Sequence, residues 1–143
     1  MSTADYKRIL QGEEPEASAA LVAEAKRVAD ELVSARDLGS EAGKAQVRAV
    51  FDEVRQIEAL WSTSEKQALH RLHLLKPRVL YRGARSPGLK PLVDWVTNAA
   101  AVVLAENDSN KQKAAFRRLV EFAEAVVAFY RARQEAGVRS GRR

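Results

Sequence analysis

The chain has 143 residues, the usual size of a single domain that can bury its own hydrophobic core. It contains no cysteine, which excludes disulfide frameworks, thiolate nucleophiles and zinc sites with sulfur ligands, and indicates a reducing cytoplasmic compartment. The net charge of +5 favours contact with polyanions without identifying one.

No segment is suited to secretion or to a membrane. The first eight residues lack the apolar centre of a signal peptide. The uncharged run at residues 95–105 is too short, because a membrane-crossing helix needs roughly 20 residues. We therefore predict a cytoplasmic protein with no membrane partner.

Apolar residues recur at spacings of three and four along the chain, and no period-two pattern typical of strands is present. This periodicity predicts an all-α fold, a single-domain helical bundle of about five helices over residues 1–143. Residues 1–14 and 137–143 are expected to be disordered ends.

Turn and capping residues place the first two helices. Pro15 opens the first helix and Gly39 is a plausible end for it. Ser40 is positioned to cap the second helix, which extends to about Trp61. Both segments carry a continuous apolar stripe, so each is predicted to pack into the core through one face.

Three further helices follow. The Thr-Ser pair at residues 63–64 caps the third helix, which is expected to kink or break near Pro77 because proline lacks the N–H that the helix needs there. Turn residues at 86–88 and at 107–109 bound the fourth helix, and those at 107–109 also cap the fifth. The fifth helix is expected to end just before Gly137.

The sharpest compositional feature is Lys66–Val93, a 28-residue segment with seven Lys or Arg residues and no Asp or Glu. At about 100° per residue, basic side chains form one ridge on the second helix and another on the third. The ridges consist of Lys44, Arg48 and Arg55, and of Arg78, Arg82 and Arg85. Without interleaved carboxylates such ridges cannot neutralise themselves and attract phosphates irrespective of base sequence. An ordinary solvated helix surface is the alternative.

Other candidate sites are weaker. His70 and His73 are spaced for a metal pair, as in a metal-dependent nuclease, but the surrounding segment has no third ligand, so surface or packing roles are favoured. Tyr81 lies off the apolar stripe, where it is placed either to stack on a base or to pack. No catalytic motif is present, so we predict a protein that is not an enzyme and has no cofactor or metal.

Three segments together resemble the small subunit of type III-A CRISPR-Cas (Csm) effector complexes. They are Gln46–Arg48, Leu74–Arg85 and Leu119–Tyr130. The resemblance covers about residues 40–132 and leaves the first helix outside. Ala123 and Arg131 depart from the family pattern, which often has a second aromatic residue and a histidine at these positions.

The resemblance implies a non-catalytic helical subunit of an RNA-guided antiviral effector complex. Several copies would stack along a channel in which CRISPR RNA (crRNA) pairs with target RNA, and other subunits would cut. The implied partners are crRNA, target RNA, other subunits and neighbouring copies of this chain. The implied contacts are Lys44, Arg48, Lys76, Arg78 and Arg85.

Charge and helix geometry add Arg55, Arg82 and Lys90 to the implied contacts. The predicted nucleic-acid-binding set is therefore Lys44, Arg48, Arg55, Lys76, Arg78, Arg82, Arg85 and Lys90. Two alternatives stay open. One is a helical protein-protein adaptor whose basic ridges meet acidic partner surfaces, and the other is the small subunit of a neighbouring type III-B or III-D system.

Overall fold

The computed structural model describes the backbone of residues 1–141 and the side chains of residues 1–137. Within this range the chain forms six α-helices and no strand, which confirms the all-α prediction with six helices in place of about five. The helices are α1 (Thr3–Gln11), α2 (Glu16–Ser34), α3 (Glu41–Trp61), α4 (Glu65–Arg85), α5 (Lys90–Ala105) and α6 (Ser109–Gly141). Short 3₁₀ turns lie at Arg36–Leu38 and Pro87–Leu89.

The additional helix is α1, in the segment where a disordered start was expected. Ser2 and Asp5 form a capping box: the Ser2 hydroxyl accepts the Asp5 backbone N–H at 3.4 Å, and the Asp5 carboxylate accepts the Ser2 N–H at 2.9 Å. Three side chains of α1 are buried, namely Tyr6, Ile9 and Leu10. The apolar stripe of α1 packs against α5 and α6, which accounts for a helix in the segment where a disordered start was expected.

Two predicted helix ends are also wrong. The first predicted helix ends at Ser34 instead of Gly39, and α6 continues past Gly137. Glycine favours a helix end most strongly where it takes up a positive φ, and neither Gly39 nor Gly137 does so. Most of the predicted disordered end, residues 138–143, lies outside the residues whose side chains the structure describes.

Pro77 does not break α4, which is continuous from Glu65 to Arg85. The missing N–H of Pro77 would have bonded the carbonyl of His73. Both residues are exposed, so water satisfies that carbonyl and the interruption carries little cost. Of the two outcomes expected at Pro77, a kink or a break, the continuous helix excludes the break.

The predicted caps are confirmed. Ser40, Ser64 and Asp108 each accept a hydrogen bond from the backbone N–H three residues on, at 3.1, 3.3 and 2.9 Å. The turn at residues 86–88 is also present, and Pro91 lies in the first turn of α5. Local sequence signals therefore set where α3, α4 and α6 begin.

Side chains from all six helices form one hydrophobic core. At its centre Trp95 stacks on Phe122 with ring centroids 3.5 Å apart, and Tyr6 meets the same indole edge-on at 5.2 Å. Trp61 stacks on Phe116 at 4.9 Å. Trp61, Trp95 and Tyr130 are all buried in this core. This core holds α3 between α4 and α6, which decides where its basic residues lie.

Candidate nucleic-acid interface

Where α3 packs on α4, polar side chains of the two helices bond to one another along a line that we call the polar seam. On α3 the seam consists of Gln46, Glu53 and Gln56, and on α4 of Arg82, Arg78 and Arg71. Arg82 donates to Gln46 at 3.4 Å, and Arg71 donates to Gln56 at 2.7 Å. Because α3 and α4 are antiparallel neighbours, each of these arginines lies beside an acceptor on α3.

Glu53 is the centre of the polar seam and is only 4% exposed. Arg78 binds its carboxylate through two atoms, Nε at 2.8 Å and Nη2 at 3.1 Å, and Arg82 Nη2 lies 3.2 Å away. Arg71 approaches to 3.9 Å. Burial by itself raises the pKa of Glu53, but hydrogen bonds from Arg78 and Arg82 outweigh burial and lower this pKa below its usual value.

The premise that the acid-free segment has no neutralising partner is therefore wrong. Its partner is a carboxylate on another helix, which a search within the segment cannot find. Three arginines around one carboxylate still leave a positive excess. Arg78 uses Nε and Nη2 on Glu53, so its Nη1 group is left for another acceptor.

Four of the predicted contact residues form ion pairs within their own helices. The pairs are Lys44–Glu41 at 3.2 Å, Arg48–Asp52 at 3.8 Å, Arg55–Glu58 at 3.4 Å and Lys90–Asp94 at 2.7 Å. All are surface pairs at spacings of three or four, which contribute roughly 0.3–0.5 kcal/mol each. A phosphate can replace so weak a partner at little cost, so these cations remain available.

Lys76 and Arg85 are the least neutralised of the predicted residues. Neither has a carboxylate within 4 Å among the side chains that the structure describes. Arg85 Nη1 donates to the Tyr81 hydroxyl at 3.2 Å, and its guanidinium lies 5.9 Å from the Tyr81 ring centroid. Tyr81 is 63% exposed, so its aromatic face and the Arg85 cation are presented together on the outer side of α4, whereas Lys76 lies half a turn away on the other flank of the helix.

The predicted residues thus fall into separate groups. Arg78 and Arg82 meet at Glu53 in the polar seam. Lys44 and Arg48 lie on the opposite side of α3, bordering α6. Arg85 contacts Tyr81 one turn before it on α4, and Arg55 and Lys90 remain in their own ion pairs.

A family model described as Csm2 Type III-A matches residues 15–136. The chain belongs to the Csm2 Type III-A family. It is therefore a small subunit of a type III-A Csm effector complex, in which it assembles with other subunits. The resemblance read from the sequence motifs is confirmed, and the match also takes in α2, which those motifs left out. Neither the comparison with curated proteins nor the comparison with solved structures gave a match.

The Gln46–Arg48 element of this Csm2-family chain divides between two surfaces. Gln46 accepts a hydrogen bond from Arg82 in the polar seam, whereas Val47 is buried in the core. Arg48 is exposed on the side of α3 that borders α6. A three-residue motif can therefore fix the position of α4 and present a cation to solvent at the same time.

Sequence reasoning missed Glu53, although a signal for it was present. Glu53 lies three residues after Val50 and four before Ile57, both fully buried, so its spacing places a carboxylate within the apolar stripe of α3. A buried carboxylate needs a cationic partner, and the acid-free segment supplies several. In the Csm2-family fold that partner is the arginine group of α4.

The two histidines raised as a metal pair are both exposed on α4. Among the residues that the structure describes, no three His, Cys, Asp or Glu side chains are grouped to hold a metal ion. Within the same range, no helix of this Csm2-family chain is long and apolar enough to cross a membrane.

Proposed function

We propose that this chain is a non-catalytic Csm small subunit that contacts the backbone of crRNA and target RNA through the basic faces of α3 and α4. The observation that carries the proposal is the outer surface of these two helices. There Arg48, Lys76 and Arg85 are exposed and are paired weakly or have no carboxylate within 4 Å among the described residues. Membership of the type III-A family supports this proposal, because it supplies the effector complex in which such a surface would be used.

The contacts would be made to phosphate and would carry no base specificity. Each Lys or Arg that neutralises a phosphate releases condensed counterions, which makes the binding salt-dependent and independent of sequence. Base pairing between guide and target would supply the sequence specificity. This division suits a subunit that must accept any target the guide selects.

The polar seam would favour RNA binding by holding arginine side chains in place before the RNA arrives. Glu53 holds the Arg78 guanidinium by two hydrogen bonds, so that side chain loses little conformational freedom when its remaining N–H groups meet a phosphate. The Arg78 side chain is 46% exposed despite this pairing. Arg78 and Arg82 are therefore proposed as positioned contacts and not as freely mobile charges.

A second candidate function is protein-protein contact by the outer face of α4. Three large apolar side chains are exposed on this helix, Leu74 at 40%, Leu80 at 47% and Tyr81 at 63%. Such a face favours the adaptor hypothesis, in which the same cations meet acidic residues of a neighbouring protein.

Purification of the tagged chain from its host separates the two functions. We expect the other effector subunits to co-purify together with short guide RNAs, because the proposed contacts hold RNA within the assembled complex. The RNA in the eluate is identified by sequencing before and after a wash at high salt. Recovery of protein subunits without guide RNA would contradict the RNA-contact proposal and favour the adaptor.

A further inference from the structure

A cleft of about 260 Å³ lies between the first turns of α3 and the last part of α6. Three cations line it, Lys44 and Arg48 from α3 and Arg131 from α6. Its one carboxylate is Glu41, whose side chain is 93% exposed and pairs with Lys44 at 3.2 Å. The cleft therefore has a net positive charge that comes from two helices far apart in sequence.

Arg131 is the residue that distinguishes this cleft from an ordinary basic ridge. It is exposed, and no carboxylate lies within 4 Å of it among the described side chains. Arginine presents a planar fork of N–H donors that matches two phosphate oxygens, which a lysine cannot do. Nothing in the helical periodicity of α3 or α4 points to Arg131, because it belongs to a different helix.

The floor of the cleft is rigid. The buried Tyr130 hydroxyl donates to the Leu38 carbonyl at 2.7 Å and accepts from Gln134 Nε2 at 2.8 Å. These bonds connect α6 to the 3₁₀ turn that precedes α3. These contacts fix the backbone positions from which the three cations extend into the cleft.

We propose that this α3/α6 cleft binds one phosphodiester of the RNA backbone. Arg131 would be the bidentate contact, and Lys44 and Arg48 would supply the rest of the positive charge around the phosphate. This assignment rests on the proposed RNA-contact function and adds α6 to it. The volume is below the roughly 300–1,000 Å³ of small-molecule sites, which suits a segment of backbone passing through instead of an enclosed ligand.

The test uses effector complexes reconstituted with full-length chain and a labelled target RNA, titrated at several salt concentrations. Arg131→Gln is expected to weaken binding about 4-fold near 0.15 M salt and to lower the salt slope by about 0.7 to 0.9, the value of one phosphate contact. Arg131→Lys keeps the charge and loses the fork, so its slope stays near that of the wild type. The matched control is Arg117→Gln, an exposed arginine on the same helix, which should leave binding unchanged.

The outcomes separate this inference from the function on which it rests. If Arg131→Gln behaves like Arg117→Gln while a Lys44→Gln, Arg48→Gln double variant loses affinity, the cleft assignment is overturned and the RNA-contact function stands. If the double variant also binds normally, the RNA-contact function itself fails at α3. Circular dichroism melting of each variant confirms that a loss of binding does not come from unfolding.

Discussion

Replacing Lys44, Arg48, Lys76 and Arg85 together by glutamine is expected to weaken capture of target RNA on the order of 100-fold near 0.15 M salt. Lys44 and Arg48 would share one phosphate, and Lys76 and Arg85 would neutralise one each, so the salt slope should fall by about 0.7 to 0.9 for each of these three contacts. The loss should be similar for targets of different sequence, because backbone contacts do not read bases. Binding of labelled target RNA to reconstituted complexes measures both quantities.

The choice of these four residues follows from the structure. Arg78 and Arg82 are left in place because their removal would strip the buried Glu53 of its partners and confuse binding with stability. The matched control replaces Arg8, Lys26, Lys113 and Arg117 by glutamine. These four are exposed and have no carboxylate within 4 Å among the described residues, so the charge removed is the same. Equal losses of RNA affinity in the two variants would show that binding depends on net charge and not on the faces of α3 and α4.

Glu53→Ala is expected to lower the free energy of unfolding by about 2 kcal/mol. Removing one partner of a fully buried pair costs roughly 3–5 kcal/mol. Here the arginine side chains are 28–46% exposed and can turn to water, which reduces the loss. Urea denaturation followed by circular dichroism at neutral pH measures the difference. A variant as stable as the wild type would contradict the role assigned to the polar seam.

The contribution of Glu53 should also depend on pH. Its pKa is lower in the folded protein than the ordinary value of 4.5, so the carboxylate stabilises the fold above about that pH. This stabilisation is lost as pH falls from about 4.5 through the lower pKa of the folded state. The comparison with Glu53→Gln isolates the charge, because glutamine has nearly the same shape. The difference in unfolding free energy between wild type and Glu53→Gln should shrink between pH 5 and pH 3. A difference that stays constant over this range would contradict the charge-based account.

Signals that depend on neighbours along the chain predicted much of the fold. The caps at Ser40 and Ser64 and the turn at residues 86–88 follow from side chains that bond to backbone a few residues away. The same kind of signal was available for α1, where Ser2 and Asp5 form a capping box, but its acidic member is aspartate instead of the usual glutamate. The break expected at Pro77 failed because its cost depends on exposure, which spacing alone does not give.

The candidate interface was harder to predict because it depends on contacts between helices. Spacing placed Arg78 and Arg82 on one side of α4, yet only the register of α4 on α3 brings them to Glu53. It also grouped Arg85 with them, and the structure adds that Arg85 donates to the Tyr81 hydroxyl one turn before it. Helical periodicity gives the direction of a side chain on its own helix, and the identity of its partner is decided by tertiary packing.

The central claim is that α3 and α4 of this Csm2-family chain touch RNA in the assembled complex. The most direct test is photo-cross-linking of the reconstituted complex to a target RNA containing 4-thiouridine, followed by mass spectrometry of the peptides of this chain. We predict cross-links within residues 44–48 and 76–85, including Tyr81, the most exposed large apolar side chain. Efficient cross-linking to other subunits with none on α3 or α4 would contradict the claim.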